Sequence, residues 1–438
     1  MAHNPRKKII VCCDGTGKRA YISNECLTNV SNIARCINSH YKQTNEKGIE
    51  ERIPQIVYYQ AGLGTVTWDI TRQIRRLTGL EIYDKVLEAY VFICHNYEDH
   101  NDEIYLIGYS RGAFTVRCIA QLIRDIGLLQ KGKLVDLPKL FDKWTRKEGS
   151  LPQDIAKLKD GTRCDIRIDA CAVWDTVSSV GNRLNFVHSE LCPNIVRALQ
   201  AISIHEHRID FRPVVWKLPS PEGNEADHNA TLKQCWFPGY HGDIGGGRED
   251  DSLAHFPLIW MMANLEDTLS FNRHHLWDFV SKKSTWKITD TKNQFPFNLR
   301  SSFIRRPRCH FWDATGFQVM DPVVDTTSNE TIHYFMYLIL SHRPRILAHP
   351  PMLVGSIKKV PEESHDRQDR WEWDVEQANR RGTFRVSEEA MAPYELELFQ
   401  HWLNRELELI QLHSKALDPR PETIIPQLKV IFESRRPL

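Results

Sequence analysis

Ile104, Tyr105, Leu106 and Ile107 form an apolar run without alternation. Such a run suits a strand buried on both faces, as in a parallel sheet. Just beyond it, Phe114, Cys118, Leu122 and Ile126 recur every fourth residue, the spacing of one helix face. The pattern predicts strand, tight turn and helix over "EIYLIGYSRGAFTVRCIAQLIRDIGLL", residues 103–129. "KKIIVCCDGTGK" predicts an opening strand that ends in a polar, glycine-containing turn, and "QIVYYQAGLGT" a second strand and turn. In "GLEIYDKVLEAYVFICHNY", Ile82, Val86, Tyr90 and Ile93 fall near helical spacing. "CDIRIDACAVWDTVSSVG" reads as a strand with Asp175 at its end, and "ATLKQCWFPGYHGDIGGG" as a strand entering a loop. Strands alternating with helices predict an α/β fold, a doubly wound and mostly parallel sheet with helices on both faces. Such sheets collect catalytic groups on loops at the carboxyl ends of their strands. Asp14, Ser110, Asp175 and the 241–247 loop hold that place here.

The period changes near Asp251. "DSLAHFPLIWMMANLEDTL" predicts a helix capped by Asp or Ser. After it comes an aromatic- and arginine-bearing stretch, "FPFNLRSSFIRRPRCHFW", without clear period. We expect a catalytic domain over 1–345 with an insertion at about 250–324 that could cover a site. A charged, largely helical C-terminal extension is expected over 346–438, from "SEEAMAPYELELFQHWLNRELELIQLH".

Composition narrows the class. The 438 residues suit two or three domains, or one large α/β domain with insertions. A hydrophobic fraction of 41% supports a sizeable core, and a net charge of +1 gives no case for nucleic acid. None of the eleven cysteines is spaced C-x-x-C, which argues against zinc ribbons and thioredoxin chemistry. "MAHNPRKKIIVCCDG" is too short in apolar residues for a signal-peptide core, and no run approaches the ~18 of a membrane span. The expectation is a soluble, intracellular, cytoplasmic protein without a membrane span.

The turn between strand and helix is Gly108-Tyr109-Ser110-Arg111-Gly112, a G-x-S-x-G pattern in the setting of a nucleophile elbow. A serine hydroxyl needs a histidine to take its proton and an acid to orient that histidine. The chain order on this kind of sheet is serine, acid, histidine. Ser110, then Asp243 or the alternative Asp175, then His333 satisfy it. Asp243 in "HGDIGGG" is favoured, because three glycines allow its loop to fold back. His241, two residues from Asp243, is expected behind the reacting groups, as is Asp14. The oxyanion donors expected are the backbone N–H of Arg111 and that of Gly15 or Thr16. Three rival motifs lack chemistry. "CCDGT" has Cys12 where a haloacid-dehalogenase phosphatase needs its nucleophilic aspartate. Lys18 is followed by Arg19 and lacks P-loop spacing. On a helix, His205 and His207 of "HEHRID" would face different sides, so no metal is expected.

Four segments in one order, "GYSRGAFTVR", "VWDTVSSVG", "AISIHEHRIDFRP" and "CWFPGYHGDIGGG", with "CDGTGK" before them, carry a family resemblance over roughly 7–345. They are similar to the uncharacterised α/β-hydrolase domain of many fungal and bacterial proteins. That domain is shared with the catalytic domain of the first class of type VI secretion lipase effectors. The resemblance implies an α/β-hydrolase fold, esterase or phospholipase activity, Ser110 as nucleophile and Asp243 as acid. The family's Ile-His-Pro-Ser-Val-like segment corresponds to "TIHYFM", with Tyr334 for Pro and Phe335 for Ser. The expected protein is a serine hydrolase of a carboxylic ester, of which lipids and phospholipids are examples. It needs no cofactor, and its surface contact with a membrane would be peripheral. The alternative is a degenerate hydrolase fold used for binding or scaffolding.

Overall fold

The structure, a computed structural model, describes residues 6–18, 26–44, 48–62, 81–158, 161–177, 189–208, 211–218, 230–249, 251–277 and 327–334, with single positions or short stretches elsewhere up to 400. Most of the aromatic stretch expected to cover a site, including Trp286, Phe295 and Phe297, lies outside the described residues.

The chain divides into two compact units, each discontinuous in sequence. Residues 1–200, 213–233 and 266–271 make the first. Its elements are β1 (Lys8–Cys13), α1 (Asn29–Cys36), β2 (His40–Thr44), β3 (Glu50–Gln60), α2 (Glu81–Asn96), β4 (Glu103–Tyr109), α3 (Arg111–Ile126) and β5 (Ala170–Trp174). The strand β6 (Arg197–Ser203) begins in this unit, and the hydrogen-bonded order is β2-β3-β1-β4-β5-β6. β1 pairs parallel with β3 and with β4, and β4 parallel with β5, while β2 joins β3 antiparallel. The expected α/β architecture is therefore present.

Its causes follow the apolar pattern. All residues of β1, β4 and β5 are buried, as unalternated strands require. On α2, Ile82, Val86, Tyr90 and Ile93 are buried, and on α3 so are Phe114, Cys118, Leu122 and Ile126. These stripes meet in one hydrophobic cluster with Ile9, Val11, Ile104 and Leu106. Each such side chain contributes roughly 1.5–3 kcal/mol on burial. α3 also carries a buried cation. Arg117 donates to the Val214 carbonyl (2.6 Å) and lies 4.4 Å from the Trp216 ring centroid. Burial lowers its pKa to about 10. At the antiparallel edge, residues 266–271 close the unit. Ser270 accepts at its carbonyl from Asn38 N–H (2.9 Å), and Asp267 from the Tyr41 hydroxyl (2.7 Å).

Residues 201–212, 234–265 and 272–438 make the second unit. It holds the end of β6, then β7 (Thr231–Phe237, from Gln234 on), α4 (His241–Gly245), α5 (His255–Ala263), β8 (Glu330–His333), β9 (Trp371–Glu376) and β10 (Thr383–Glu389). The strand order there is β6-β7-β8-β10-β9. β8 is parallel to β7 and to β10, and β9 is antiparallel to β10. Glu330, fully buried, ties β7 to β8 by accepting from Trp236 Nε1 (2.7 Å), with Ser328 Oγ also donating to it (2.6 Å).

Three differences from the sequence reading stand out. "RALQAIS" forms β6, so two strands rather than one lie between β4 and β7. "HEHRID" opens in the loop after β6 and not on a helix. The C-terminal extension, expected to be largely helical, contributes β9 and β10 among its described residues.

Candidate active site

Ser110 follows β4 directly and caps α3. Its backbone has φ 58° and ψ −123°, a region that costs a side-chain-bearing residue of order 1–3 kcal/mol and that surrounding structure must enforce. The enforcement is visible. Ser110 N–H donates to the Trp174 carbonyl of β5 (3.0 Å), and the Ser110 carbonyl accepts from Phe114 N–H (3.3 Å). Gly112 sits where a Cβ would lie 2.2 Å from the Cys13 carbonyl oxygen and 2.5 Å from that of Asp14. Only glycine allows the first turn of α3 to press this closely on the end of β1. A Cβ on Gly15 would come 2.7 Å from the Tyr109 ring and 3.4 Å from Ser110 Cβ. The loop after β1 therefore lies beside the serine, where an oxyanion-binding loop belongs.

That loop is held by Asp14. Its buried carboxylate accepts from Thr28 Oγ1 (2.9 and 2.8 Å), Ser31 Oγ (2.9 Å), Tyr59 Oη (2.6 Å) and Gly15 N–H (2.6 Å). Burial pushes the Asp14 pKa up, and these bonds hold it back. Gly15 N–H is thus directed to the Asp14 carboxylate, while Arg111 opens α3 directly after Ser110. Asp175, at the end of β5, is fully buried with φ 39°. Next to it, Thr176 accepts from Val214 N–H at its carbonyl (2.9 Å), and its hydroxyl lies 3.3 Å from Gln200 Oε1.

The remaining expected residues lie in the second unit. Asp243 is the third residue of α4, and its Oδ2 accepts from Tyr240 N–H (2.8 Å), the reach-back bond of a capping box. Its Oδ1 lies 3.3 Å from Arg248 Nη1. His241, also buried, sets its ring edge against Phe211 at 4.7 Å. His333 ends β8 with 1% of its surface exposed and stacks on Phe237, ring centroids 4.4 Å apart. Its Nε2 lies 2.7 Å from Glu395 Oε1.

Two residues that sequence reasoning passed over shape this unit. Glu395 is one. Glu206, after β6, is the other: it accepts from Arg208 Nε (2.8 Å) and Nη2 (2.6 Å) and from the N–H groups of His207 (3.1 Å), Arg208 (2.9 Å) and His241 (3.3 Å). Burial alone would raise its pKa, but the Arg208 bonds and the charge of Arg305 hold it at about 2. Among the described residues, no three of His, Cys, Asp and Glu gather as a metal site, and no helix is long and apolar enough to cross a membrane.

Residues 7–264, which include β4, the elbow and α4, match the family described as T6SS, Phospholipase effector Tle1-like, catalytic domain. The chain belongs to that family. Its fold is α/β-hydrolase-like, as membership of that family implies. It is also 27% identical over 237 residues to the uncharacterized protein YEL023C of Saccharomyces cerevisiae. That match covers 47% of this chain and 32% of the yeast protein, so the chain spans about a third of that relative's length.

Proposed function

We propose that this protein is a serine hydrolase that cleaves a carboxylic ester of a lipid through an acyl-enzyme on Ser110. The observation that carries the reading is the backbone of Ser110, held at positive φ between β4 and α3 with the β1 loop beside it. The family match to phospholipase catalytic domains supports a lipid as the source of the ester. In the first half-reaction, Ser110 Oγ attacks the carbonyl carbon while His333 takes its proton. The oxyanion accepts hydrogen bonds from the N–H groups of Arg111 and Thr16. The ester C–O bond breaks and the proton passes to the leaving alcohol oxygen. Water repeats the sequence and frees the acid. Chain order assigns the acid role to Asp243, with Asp175 as the alternative.

The test is a fluorophosphonate probe, which labels only an activated serine. Wild type should be labelled and Ser110→Ala should not. Phospholipid hydrolysis by Ser110→Ala should fall by about 10⁴-fold, since triad members act as a unit. An unlabelled wild type that binds lipid without cleaving it would favour the degenerate, binding-only alternative.

A further inference from the structure

We propose that the Arg111 side chain receives the phosphate of the substrate, so that the site prefers an ester borne on a glycerophosphodiester to the same ester on a neutral glycerol. The inference rests on the reading of Ser110 as the nucleophile and gives it a neighbour that sets specificity.

One peptide bond joins Arg111 to Ser110, which sets their Cα atoms about 3.8 Å apart. Arg111 opens α3, and in a helix the Cα–Cβ bond tilts toward the N-terminus. Its side chain therefore leaves α3 toward the end that carries Ser110 and the β1 loop. Arg111 is neither buried nor fully exposed. α2 runs from the carboxyl end of β3 to the amino end of β4, so its first residue, Glu81, stands at the same end of the sheet. Among the described residues, Glu81 is the one acid whose charge the guanidinium feels, and it closes no ion pair with it. Burial holds the Arg111 pKa below its ordinary value against that pull. Asp14, the acid of the neighbouring loop, is committed to Thr28, Ser31, Tyr59 and Gly15. Other arginines of this unit are engaged: Arg197 forks onto Asp267 (2.7 and 2.6 Å), and Arg117 donates to the Val214 carbonyl. Arg111 is a half-buried cation beside the nucleophile that no carboxylate of the described residues meets.

The chemistry matches a phosphodiester. A guanidinium presents a planar fork of N–H donors that meets two phosphate oxygens at once. In a glycerophospholipid, five covalent bonds separate the carbonyl carbon of the central ester from phosphorus, a span of at most about 7 Å at ~1.5 Å per bond. An arginine side chain likewise carries its guanidinium carbon five bonds from Cα. With the ester carbonyl at Ser110 Oγ, the phosphate falls within reach of the next residue's guanidinium. A neutral diacylglycerol offers no anion, and its binding leaves the cation partly desolvated without a partner, which disfavours it. The side chain acts apart from the Arg111 backbone N–H, which any substitution other than proline retains.

The full chain should be compared as wild type, Ser110→Ala, Arg111→Gln and Arg111→Lys, with folding checked by thermal unfolding. The substrates are dihexanoyl phosphatidylcholine and dihexanoylglycerol in the same neutral detergent micelles, which share their esters and differ in the phosphodiester. The readout is the ratio of their kcat/KM values. Wild type should favour the phospholipid, and Arg111→Gln should lower the ratio about 10- to 100-fold, the loss of one charge-assisted fork. Arg111→Lys, which keeps the charge without the fork, should fall between them. In wild type, glycerophosphocholine should slow fluorophosphonate labelling of Ser110 where glycerol at the same concentration does not. That measurement decides the matter even if neither variant folds: equal labelling in the two solutions overturns the proposal. A folded Arg111→Gln with the wild-type ratio overturns it too, and a loss shared equally by both substrates is such a case, since it marks a merely structural role. If Ser110→Ala keeps its turnover, or wild type is neither labelled nor active on either substrate, the hydrolase reading falls, and this proposal with it.

Discussion

Replacing Gly112 by alanine tests whether the elbow is as tight as its geometry implies. The added methyl carbon would lie 2.2 Å from the Cys13 carbonyl oxygen and 2.5 Å from that of Asp14. Carbon-to-carbonyl contacts ordinarily stand no closer than about 3.3 Å, so the first turn of α3 or the end of β1 must yield by about 1 Å. Both obstacles are backbone atoms and cannot rotate away. Forced insertion of a methyl into packed structure costs about 1–3 kcal/mol. If Ser110 is the nucleophile proposed above, a displacement of this size beside it costs about 10²-fold in rate. Urea denaturation reads the first quantity, and the rate of fluorophosphonate labelling reads the second. Gly132→Ala is the control, since a Cβ there meets nothing within 4 Å, and its stability should stay within about 0.5 kcal/mol of wild type. If Gly112→Ala unfolds at the wild-type midpoint and is labelled at the wild-type rate, the serine is not held by this contact.

Further outcomes follow from the buried groups. Glu206 has a folded pKa of about 2 against an ordinary 4.5, so its stabilisation is present above pH 4.5 and lost as pH falls through 2. That linkage is worth about 3 kcal/mol; Glu206→Gln should flatten the acid limb of stability between those values, and an unchanged limb would refute the assignment. Asp14→Asn places an amide NH₂ among four donors and should cost about 1–3 kcal/mol; it should also slow labelling of Ser110, and a wild-type labelling rate would show that the Asp14 cluster does not hold the loop beside Ser110. Truncation after residue 345 removes β9, β10 and Glu395, and the fragment should fail to unfold cooperatively. A sharp, wild-type-like transition would mean that β8 stands without them.

The elbow was legible because its signals are local: an unbroken apolar strand, a serine between glycines and a helix stripe. β6 was not, because Arg197, Gln200 and Ser203 make "RALQAIS" look polar. Gln200 is nonetheless buried, and its amide donates to the Val214 carbonyl (3.1 Å), a partner that no local pattern contains. The place of Gly15 after β1 was legible, whereas the bond its N–H makes to Asp14 is decided by side-chain packing. Glu395 lies 62 residues beyond His333 in a charged stretch. Its one local signal was the Ala-Pro-Tyr-Glu start of a helix, which identifies a cap and says nothing of a ring across the sheet.

Closure of the antiparallel edge by residues 266–271 has a consequence for synthesis. Asn38 and Ser270, whose side chains also bond at 2.9 Å, are separated by 232 residues. At ~5–20 residues per second, the ribosome delivers the second on the order of 10–50 seconds after the first. Over that interval β2 and β3 lack the segment that covers Asn38, Gln55 and Tyr41, and an uncovered edge strand is a template for wrong pairing. The nascent chain is thus exposed to misassembly for far longer than its local strands and helices take to form, and a chaperone that shields residues 38–55 would act in that window.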